Sequence, residues 1–423
     1  MPKFIKILGS GIATSLFFFP FELYALIGIN SKMVLAVMGV LLMAYNFLRE
    51  QNKTVPTTFL VLAGLAMCVS LVSYLSITIN RTEDTTYVSY IVSFIVWLSA
   101  AYACCVCILW THGNIFIQIV VDYLTAVCLF QCIMAILIDS FPVVQHWVDR
   151  YFSLNQPLMH DTKRLYGIGA ALDVAGCRFS LVLVALAFYL SEIKYQLRFE
   201  RRFLYILSFL IIFIIGNMIS RTTLVGGIGG LFIVVTGFLS PNRNGKGRRH
   251  AILLWLCFLM IAIVSCFILY HTNPSARRLL SFAFEGFFSF ARTGKWETSS
   301  TDILINNMVV FPESLHTWLI GDGYFLNPRY DVNYLGNSTI YGFYMGTDIG
   351  YLRFLFYFGI LGFIPLIGVL AYSAVICIRV FREERFLFIL DLLVGLIVWM
   401  KVSTDVFLIF ALYLCVAFLS KSR

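Results

Sequence analysis

Three arginines lie at the edges of long apolar runs, where a charged side chain is costly. Arg178 opens one run in the string Ala-Gly-Cys-Arg-Phe-Ser, Arg221 separates two runs in Ser-Arg-Thr-Thr, and Arg353 falls in the first turns of another. A guanidinium group is a planar fork of N–H donors that matches phosphate oxygens in paired hydrogen bonds. Three such groups together would suit an anionic ligand, although a single arginine such as Arg178 often only anchors a helix at the membrane surface.

Two other residues have the chemistry of a proton acceptor. Asp348 lies five residues before Arg353, near a predicted helix N-terminus that favours a carboxylate. It could accept the proton of a hydroxyl group. His316, in the compact string Pro-Glu-Ser-Leu-His-Thr-Trp, is the second candidate, with a solvated loop histidine as the alternative.

Ion pairing is the structural alternative for several of these charges. Asp348 could pair with Arg353 or with Arg221 rather than act on a ligand. Lys401 and Asp405 are four residues apart, a spacing that predicts an ion pair within one helical turn.

The composition places these residues in a membrane protein. Of the 423 residues, 60% are hydrophobic and only 13% are charged, and the mean hydropathy is +0.87. Soluble proteins have roughly 45–50% apolar and about 25% charged residues, so neither a soluble globular protein nor a disordered chain fits. The eleven cysteines lie mostly in apolar runs and form no zinc spacing with histidines, so we expect no disulfide framework and no metal site.

Twelve segments have the length and apolar character of a membrane-spanning helix. They centre on residues 8–27, 32–48, 57–79, 87–109, 115–138, 177–193, 203–219, 223–240, 251–270, 348–378, 386–400 and 404–420. The first follows Lys3 and Lys6, contains Pro20 and lacks a cleavage pattern, so we predict a retained helix rather than a signal peptide. The predicted fold class is an all-α, polytopic integral membrane protein with about twelve transmembrane helices.

The basic residues predict which way the helices face. With the N-terminus inside, the inside loops collect Arg49, Lys53, Lys194, Arg198, Arg201, Arg202, Arg243, Lys246, Arg248, Arg249, Arg379, Arg382, Arg385, Lys421 and Arg423. The short outside turns hold only Lys32, Arg81, Arg221 and Lys401. This asymmetry places both termini in the cytoplasm. It also explains the net charge of +9, so nucleic acid is not an expected partner.

Two long outside loops divide the chain into five regions. These are a five-helix membrane region at 1–138, a loop at 139–176, a membrane region at 177–270 that holds the Arg221 turn, a large loop at 271–346 between helices 9 and 10, and a C-terminal membrane region at 347–423. The phenylalanine-rich stretch of the large loop predicts an amphipathic helix at the bilayer surface. By this topology, all the charged sites described above lie at the outer face.

Several short motifs resemble those of the O-antigen polymerase and ligase superfamily. Residues 220–222 (Ser-Arg-Thr) resemble the arginine turn that precedes a long outside loop, and residues 321–325 (Gly-Asp-Gly-Tyr-Phe) resemble a glycine element within that loop. Residues 347–353, followed by 358–362 (Phe-Gly-Ile-Leu-Gly), resemble the start of the helix that closes the loop. Residues 164–178 resemble the entry to this region in Wzy-type polysaccharide polymerases.

One departure favours the polymerase branch of this superfamily. O-antigen ligases usually carry a His-Asn pair at the start of the closing helix, whereas this chain has Thr347 and Asp348 there. The resemblance covers roughly residues 160 to 375.

The resemblance implies a GT-C-like glycosyltransferase of the bacterial inner membrane that needs no metal or other cofactor. It would transfer a glycan from undecaprenyl pyrophosphate to the non-reducing end of another lipid-linked repeat unit, at an active site facing the periplasm. The implied site residues are Arg178, Arg221 and Arg353 for the pyrophosphate, Asp348 and His316 for catalysis, and Arg164, Asp322 and Tyr324 for the glycan.

The implied partners are the undecaprenyl-pyrophosphate-linked oligosaccharide, membrane lipids and a chain-length regulator protein. Two other functions stay open. One is an O-antigen ligase-like transfer from lipid to another acceptor. The other is a polysaccharide transporter or flippase, which fits less well because such carriers usually show repeat symmetry and midplane sites.

Overall fold

The computed structural model describes residues 2–26, 28–49, 56–152, 164–191, 198–239, 245–327 and 342–421. Within these ranges the chain is helical, with isolated β-bridges and no β-strand. The helices are α1 (Lys3–Phe18), α2 (Ser31–Arg49), α3 (Thr57–Asn80), α4 (Tyr90–His112), α5 (Ile117–Ser140), α6 (Pro142–Tyr151), α7 (Leu172–Ser191), α8 (Phe199–Ile219), α9 (Thr223–Leu239), α10 (Gly245–Thr272), α11 (Pro274–Ala283), α12 (Glu285–Thr293), α13 (Ser299–Ile303), α14 (Leu315–Leu319), α15 (Gly350–Val380), α16 (Arg385–Trp399) and α17 (Phe407–Lys421).

The lengths and the apolar composition of these helices are those of a multi-pass membrane protein. In the described part of the chain, eight helices are long and apolar enough to cross a membrane, namely α2, α3, α4, α5, α7, α8, α10 and α15. Each of the twelve predicted spans overlaps a helix, but α1, α9, α16 and α17 are shorter, so the number twelve stays a prediction. Helix α1 ends at Phe18 because Pro20 disfavours helical geometry in the residue before it.

Helices α7 and α17 form the centre of the bundle. Every residue of α7 from Ala175 to Ser191 is buried, and so is every residue of α17 from Phe407 to Ala417. Helix α10 is peripheral and exposes large apolar side chains such as Ile261 and Phe267. A helix that is apolar on all sides needs a protein core or lipid around it. This explains why α7 and α17 are buried in the bundle and why α10 can expose large apolar side chains.

The predicted loop at 139–176 is partly helical. It contains α6, and α7 begins at Leu172 rather than at residue 177, so Asp173 belongs to the first turn of that helix. Residues 153–163 of this loop and residues 328–341 of the large loop lie outside the described residues, as do the basic positions 53, 194, 243 and 423.

The predicted amphipathic stretch of the large loop forms two helices. The side chain of Asn273 caps α11 by accepting hydrogen bonds from the backbone N–H groups of Ser275 and Ala276. Phe284 separates α11 from α12. The position of these helices relative to a bilayer stays a prediction.

Helix α15 is broken at Gly359, which has a φ of 61° and a ψ of −167°. Such backbone geometry is essentially restricted to glycine, and a Cβ there would lie 2.3 Å from the backbone of Leu319. A break in a helix leaves carbonyl groups without their usual partners. The carbonyl of Phe356 accepts from the Asp322 N–H at 2.6 Å, and that of Tyr357 accepts from Gly323 and Ser76. The two glycine motifs at 321–325 and 358–362 therefore dock onto each other.

Candidate functional site

A cavity of about 600 Å³ lies where α4, α7, α15 and the segment between α16 and α17 meet. Eight aromatic side chains line it, namely Tyr87, Tyr90, Trp97, Phe325, Phe343, Phe354, Trp399 and Phe407. Its charged lining residues are Asp173, Asp348, Arg353 and Asp405. Two of these four, Asp348 and Arg353, were predicted as site residues from the sequence.

Arg353 is held against the aromatic wall. Its guanidinium carbon lies 3.6 Å from the ring centre of Phe325 and 3.7 Å from that of Phe343. One terminal nitrogen donates to the Ser403 hydroxyl at 2.7 Å. Cation–π contacts of this kind strengthen when the cation is desolvated, and the Arg353 side chain is only 5% exposed. The guanidinium is therefore fixed in place in the cavity wall.

Asp348 faces Arg353 without a hydrogen bond. Its Oδ1 atom lies 3.8 Å from the Arg353 Nη1 atom and is buried with no hydrogen-bond partner in the described ranges. Burial raises the pKa of Asp348 to about 7, although the positive charge of Arg353 opposes this rise. Thr347 fixes the approach to α15, because its hydroxyl donates to the Met308 carbonyl at 2.7 Å. Asp348 can therefore exchange a proton near neutral pH.

Asp173 is a residue of the cavity that the sequence interpretation missed. Its Oδ1 atom accepts hydrogen bonds from the hydroxyls of Ser220 at 2.6 Å and Thr222 at 2.5 Å, and from the Lys401 ammonium at 2.9 Å. The Ser-Arg-Thr turn is thus anchored through both residues that flank Arg221. The signal was present in the sequence, since Asp173 precedes Arg178 by five residues, but the predicted helix start at 177 left it in a loop.

The predicted ion pair between Lys401 and Asp405 is wrong. Helix α16 ends at Trp399 and α17 begins at Phe407, so no helical turn joins the two residues. Lys401 pairs with Asp173 instead, and Asp405 lies 4.0 Å from the ammonium of Lys32. Both partners come from distant parts of the chain.

Arg221 points toward the large loop. Its guanidinium pairs with the carboxylate of Glu285 at the start of α12 and lies 4.6 Å from the ring centre of Phe282. Arg164 contacts the same ring at 4.8 Å, and burial lowers its pKa. Glu285 had no role in the sequence interpretation. The negative charge of Glu285 neutralises the positive charge of Arg221.

The three predicted arginines are therefore not equivalent. Arg353 lines the cavity, whereas neither Arg178 nor Arg221 is among its lining residues. Arg178 is buried, and its guanidinium carbon lies 5.7 Å from the ring centre of Phe19.

The other predicted site residues lie on the loop side of the cavity. His316 is exposed on α14 and is not among the lining residues. Asp322 accepts hydrogen bonds from the hydroxyls of Thr317 at 2.7 Å and Tyr344 at 3.2 Å. Tyr324 stacks on Tyr344 with ring centres 5.2 Å apart. The assignment of His316 to catalysis and of Asp322 and Tyr324 to glycan binding stays a prediction.

No family model, curated protein or solved structure matches the chain. Among the described residues, no three His, Cys, Asp or Glu side chains are grouped so that they could hold a metal ion. The ionisable groups that line the cavity are the carboxyl groups of Asp173, Asp348 and Asp405 and the fixed guanidinium of Arg353, with aromatic surfaces around them.

Proposed function

We propose that the chain is a polysaccharide polymerase of the Wzy type. It transfers a glycan from undecaprenyl pyrophosphate to the non-reducing end of another lipid-linked repeat unit. The observation that carries the proposal is the juxtaposition of Asp348 and Arg353, 3.8 Å apart, in a cavity with aromatic walls. The motifs at 220–222, 321–325 and 347–353 support the same function through their resemblance to the polymerase branch.

The reaction needs a proton acceptor for the attacking hydroxyl. Asp348 takes that proton as the acceptor oxygen forms a bond to the anomeric carbon of the donor glycan. A pKa of about 7 suits this role, because a general base works best when its pKa lies near the working pH.

The bond that breaks joins the anomeric carbon to the pyrophosphate oxygen. Negative charge develops on the pyrophosphate as it leaves, and a fixed cation stabilises such charge without reorganising. Arg353 supplies that cation, held by Ser403, Phe325 and Phe343. No metal or other cofactor takes part in the proposed reaction.

The aromatic walls suit a carbohydrate ligand. Rings such as Tyr87, Phe354 and Trp399 offer flat apolar surfaces to the C–H faces of sugars. Hydroxyl and carboxyl groups among them, such as those of Asp173 and Ser403, can bond to sugar hydroxyls. A small number of polar groups within an apolar wall is the usual composition of a small-molecule site.

The cellular setting is part of the same proposal. The chain adopts a GT-C-like fold in the bacterial inner membrane, with both termini in the cytoplasm and the cavity facing the periplasm. Its partners are the lipid-linked oligosaccharide, membrane lipids and a chain-length regulator protein.

The test is the lipid-linked glycan that accumulates in a deletion strain. A polymerase leaves a single repeat unit on the carrier, and the polymer returns with the wild-type gene but not with Asp348→Asn. Full polymer on the carrier would instead indicate an O-antigen ligase-like transfer, and repeats trapped on the cytoplasmic side would indicate a flippase. His316→Gln is the matched control, and loss of polymer in this variant would move the proton-acceptor role to the histidine.

A further inference from the structure

Another cavity, of about 480 Å³, lies between α5, α8, α10 and α11, and we call it the lateral groove. Among the described residues, it shares no lining side chain with the cavity that holds Asp348. Most of its lining is aliphatic and comes from α8 and α10. Three of the lining side chains, Ile136, Ile261 and Leu269, are exposed, so the groove is open at the surface of the bundle.

The lateral groove follows the helices over about half of a membrane thickness. Its lining extends from Leu207 to Met218 on α8 and from Phe258 to Leu269 on α10, twelve residues in each case. At about 1.5 Å per residue, each stretch is about 17 Å long, roughly half of a hydrocarbon core of about 30 Å. At one end of the groove, the ring of Phe258 packs against that of Phe203, with ring centres 4.9 Å apart. The groove therefore has the depth of one membrane leaflet.

The other end of the lateral groove is polar. Asp139 and Ser140, the last residues of α5, line it together with Asn273 and Ser275 at the start of α11. The Arg278 guanidinium of α11 donates a hydrogen bond to the Asp139 carboxylate at 3.3 Å. Their side chains are 48% and 29% exposed, and an ion pair so open to water is weak. One positive and one negative group thus lie beside each other above an aliphatic groove.

We propose that the lateral groove is a binding site for a phospholipid with a primary-amine headgroup, as in phosphatidylethanolamine. One of its hydrocarbon chains lies along α8 and α10, where apolar surface is buried against apolar surface. The phosphate accepts hydrogen bonds from Arg278, and the ammonium group donates to Asp139. Each member of the exposed ion pair then gains a partner of opposite charge in the headgroup. The site does not depend on the proposed function, because the proposed reaction uses none of its residues.

The charges at the polar end distinguish this headgroup from the common alternatives. A choline group carries a positive charge but has no N–H to donate to Asp139, whereas a primary ammonium has three. A glycerol headgroup leaves the lipid with a net negative charge, which Arg278 attracts and Asp139 repels.

Native mass spectrometry of the purified full chain tests the headgroup. The protein is incubated with dioleoyl-phosphatidylethanolamine, dioleoyl-phosphatidylcholine and dioleoyl-phosphatidylglycerol at equal concentrations, so that only the headgroup differs. We expect one lipid per chain to survive removal of the detergent. Phosphatidylethanolamine is retained about threefold more than either of the others, the ratio expected for one exposed charge pair. Equal retention of the three lipids would overturn the headgroup assignment.

A side chain that fills the lateral groove tests the position of the hydrocarbon chain. In Ala262→Trp the indole occupies the groove, so the retained lipid is lost. Met260→Trp is the matched control, because Met260 is exposed on the same helix and does not line the groove. Gel filtration shows whether both variants are folded, and Ser265→Leu replaces Ala262→Trp if the larger side chain prevents folding. Full retention of the lipid in a folded groove variant would overturn the proposal.

Exchange of the two charged residues tests their separate roles. Asp139→Asn removes the carboxylate that repels an anionic lipid and keeps Arg278, so the preference changes to phosphatidylglycerol. Arg278→Gln lowers the retention of phosphatidylethanolamine by about threefold, since the phosphate loses its cation. An unchanged preference for phosphatidylethanolamine in Asp139→Asn would contradict the contact between the ammonium group and this carboxylate.

Competition with a prenyl lipid separates a phospholipid site from a carrier site. Undecaprenyl phosphate is added at the same concentration as dioleoyl-phosphatidylethanolamine. We expect the phospholipid to stay bound. If the prenyl lipid displaces it, the groove belongs to a lipid carrier and the phospholipid assignment is wrong. Neither result depends on the proposed function, because lipid retention is measured without any glycan transfer.

Discussion

At the scale of single residues, the surroundings of Asp348 make it the candidate general base, more than the fact that it is an aspartate. Asp348 is buried, lacks a hydrogen-bond partner at Oδ1 within the described residues, and faces a cation at 3.8 Å that is already bonded to Ser403. The sequence predicted Asp348 and Arg353 correctly as neighbours, because five residues at the start of a helix keep them close. It could not predict the aromatic rings of Phe325 and Phe343, which come from the large loop.

The raised pKa of Asp348 predicts the pH dependence of chain extension. The carboxyl must be deprotonated to act as a base, so the rate rises with pH and levels off above about 7. Asp348→Asn cannot take the proton, so the rate falls by about 100- to 10,000-fold and this pH dependence disappears. The measurement is polymer formation from lipid-linked repeat units in isolated membranes between pH 5 and 9.

A structural role for Asp348 would give a different result. If it only neutralises Arg353, the double variant Asp348→Asn with Arg353→Gln recovers much of the lost activity, because no buried charge is left unpaired. Such recovery would remove Asp348 as the proton acceptor, and so would near-normal activity in Asp348→Asn.

At the scale of helices and turns, the sequence predicted the elements better than their contacts. Each predicted span overlaps a helix because long apolar runs have few other solutions in a membrane. The pairing of Lys401 was predicted wrongly because local spacing was applied to a segment that is not helical. Its partner Asp173 is 228 residues away, and nothing in local spacing encodes such a contact.

The turn at Arg221 is predicted to depend on Glu285. Arg221→Glu or Glu285→Arg alone places like charges together, so the melting temperature of the purified protein falls by roughly 1 °C for each kcal/mol of stability lost in a chain of this length. The double exchange restores most of the loss, because the pair is kept with its charges reversed. If the double variant is no better than the worse single one, Arg221 acts on a ligand rather than on α12.

The break in α15 is predicted to tolerate no side chain at Gly359. In Gly359→Ala the new Cβ meets the backbone of Leu319 at 2.3 Å, in a conformation that alanine rarely adopts. We expect a large loss of folded protein in detergent, measured by gel filtration and thermal unfolding. Gly64→Ala in α3 is the control, because a Cβ there meets nothing within 4 Å. Equal behaviour of the two variants would contradict the role of the break.

At the scale of the whole molecule, the charged turns share one end of the bundle. Contacts between Lys401 and Asp173, between Asp173 and Ser220, and between Lys32 and Asp405 join helices from every part of the chain. Sequence alone predicted this shared end, because an alternating helix topology puts every second turn on the same side. The side of the membrane that this end faces has to be measured by chemical labelling.

Cysteine labelling is expected to place this end outside. In spheroplasts, an impermeant thiol reagent reacts with a cysteine at position 81 or 295 but not with one at position 200 or 382, because the basic residues around the last two predict a cytoplasmic side. The unsubstituted chain corrects for its own exposed cysteines, Cys68 and Cys257. Labelling at 200 and 382 instead would invert the topology and remove the periplasmic active site.

The docking of the glycine motif at 321–325 also sets an order of events during synthesis. Asn80, Thr82 and Asp84 bond to Gly321, Gly323 and Phe325, residues that follow them by 241 positions. At about 5–20 residues per second, the ribosome needs roughly 12–48 s to supply these partners. During that interval the amide, hydroxyl and carboxylate groups of these three residues lack their partners from the later segment. The cavity can therefore close only after this segment and the helices that follow it, α15 to α17, have been synthesised.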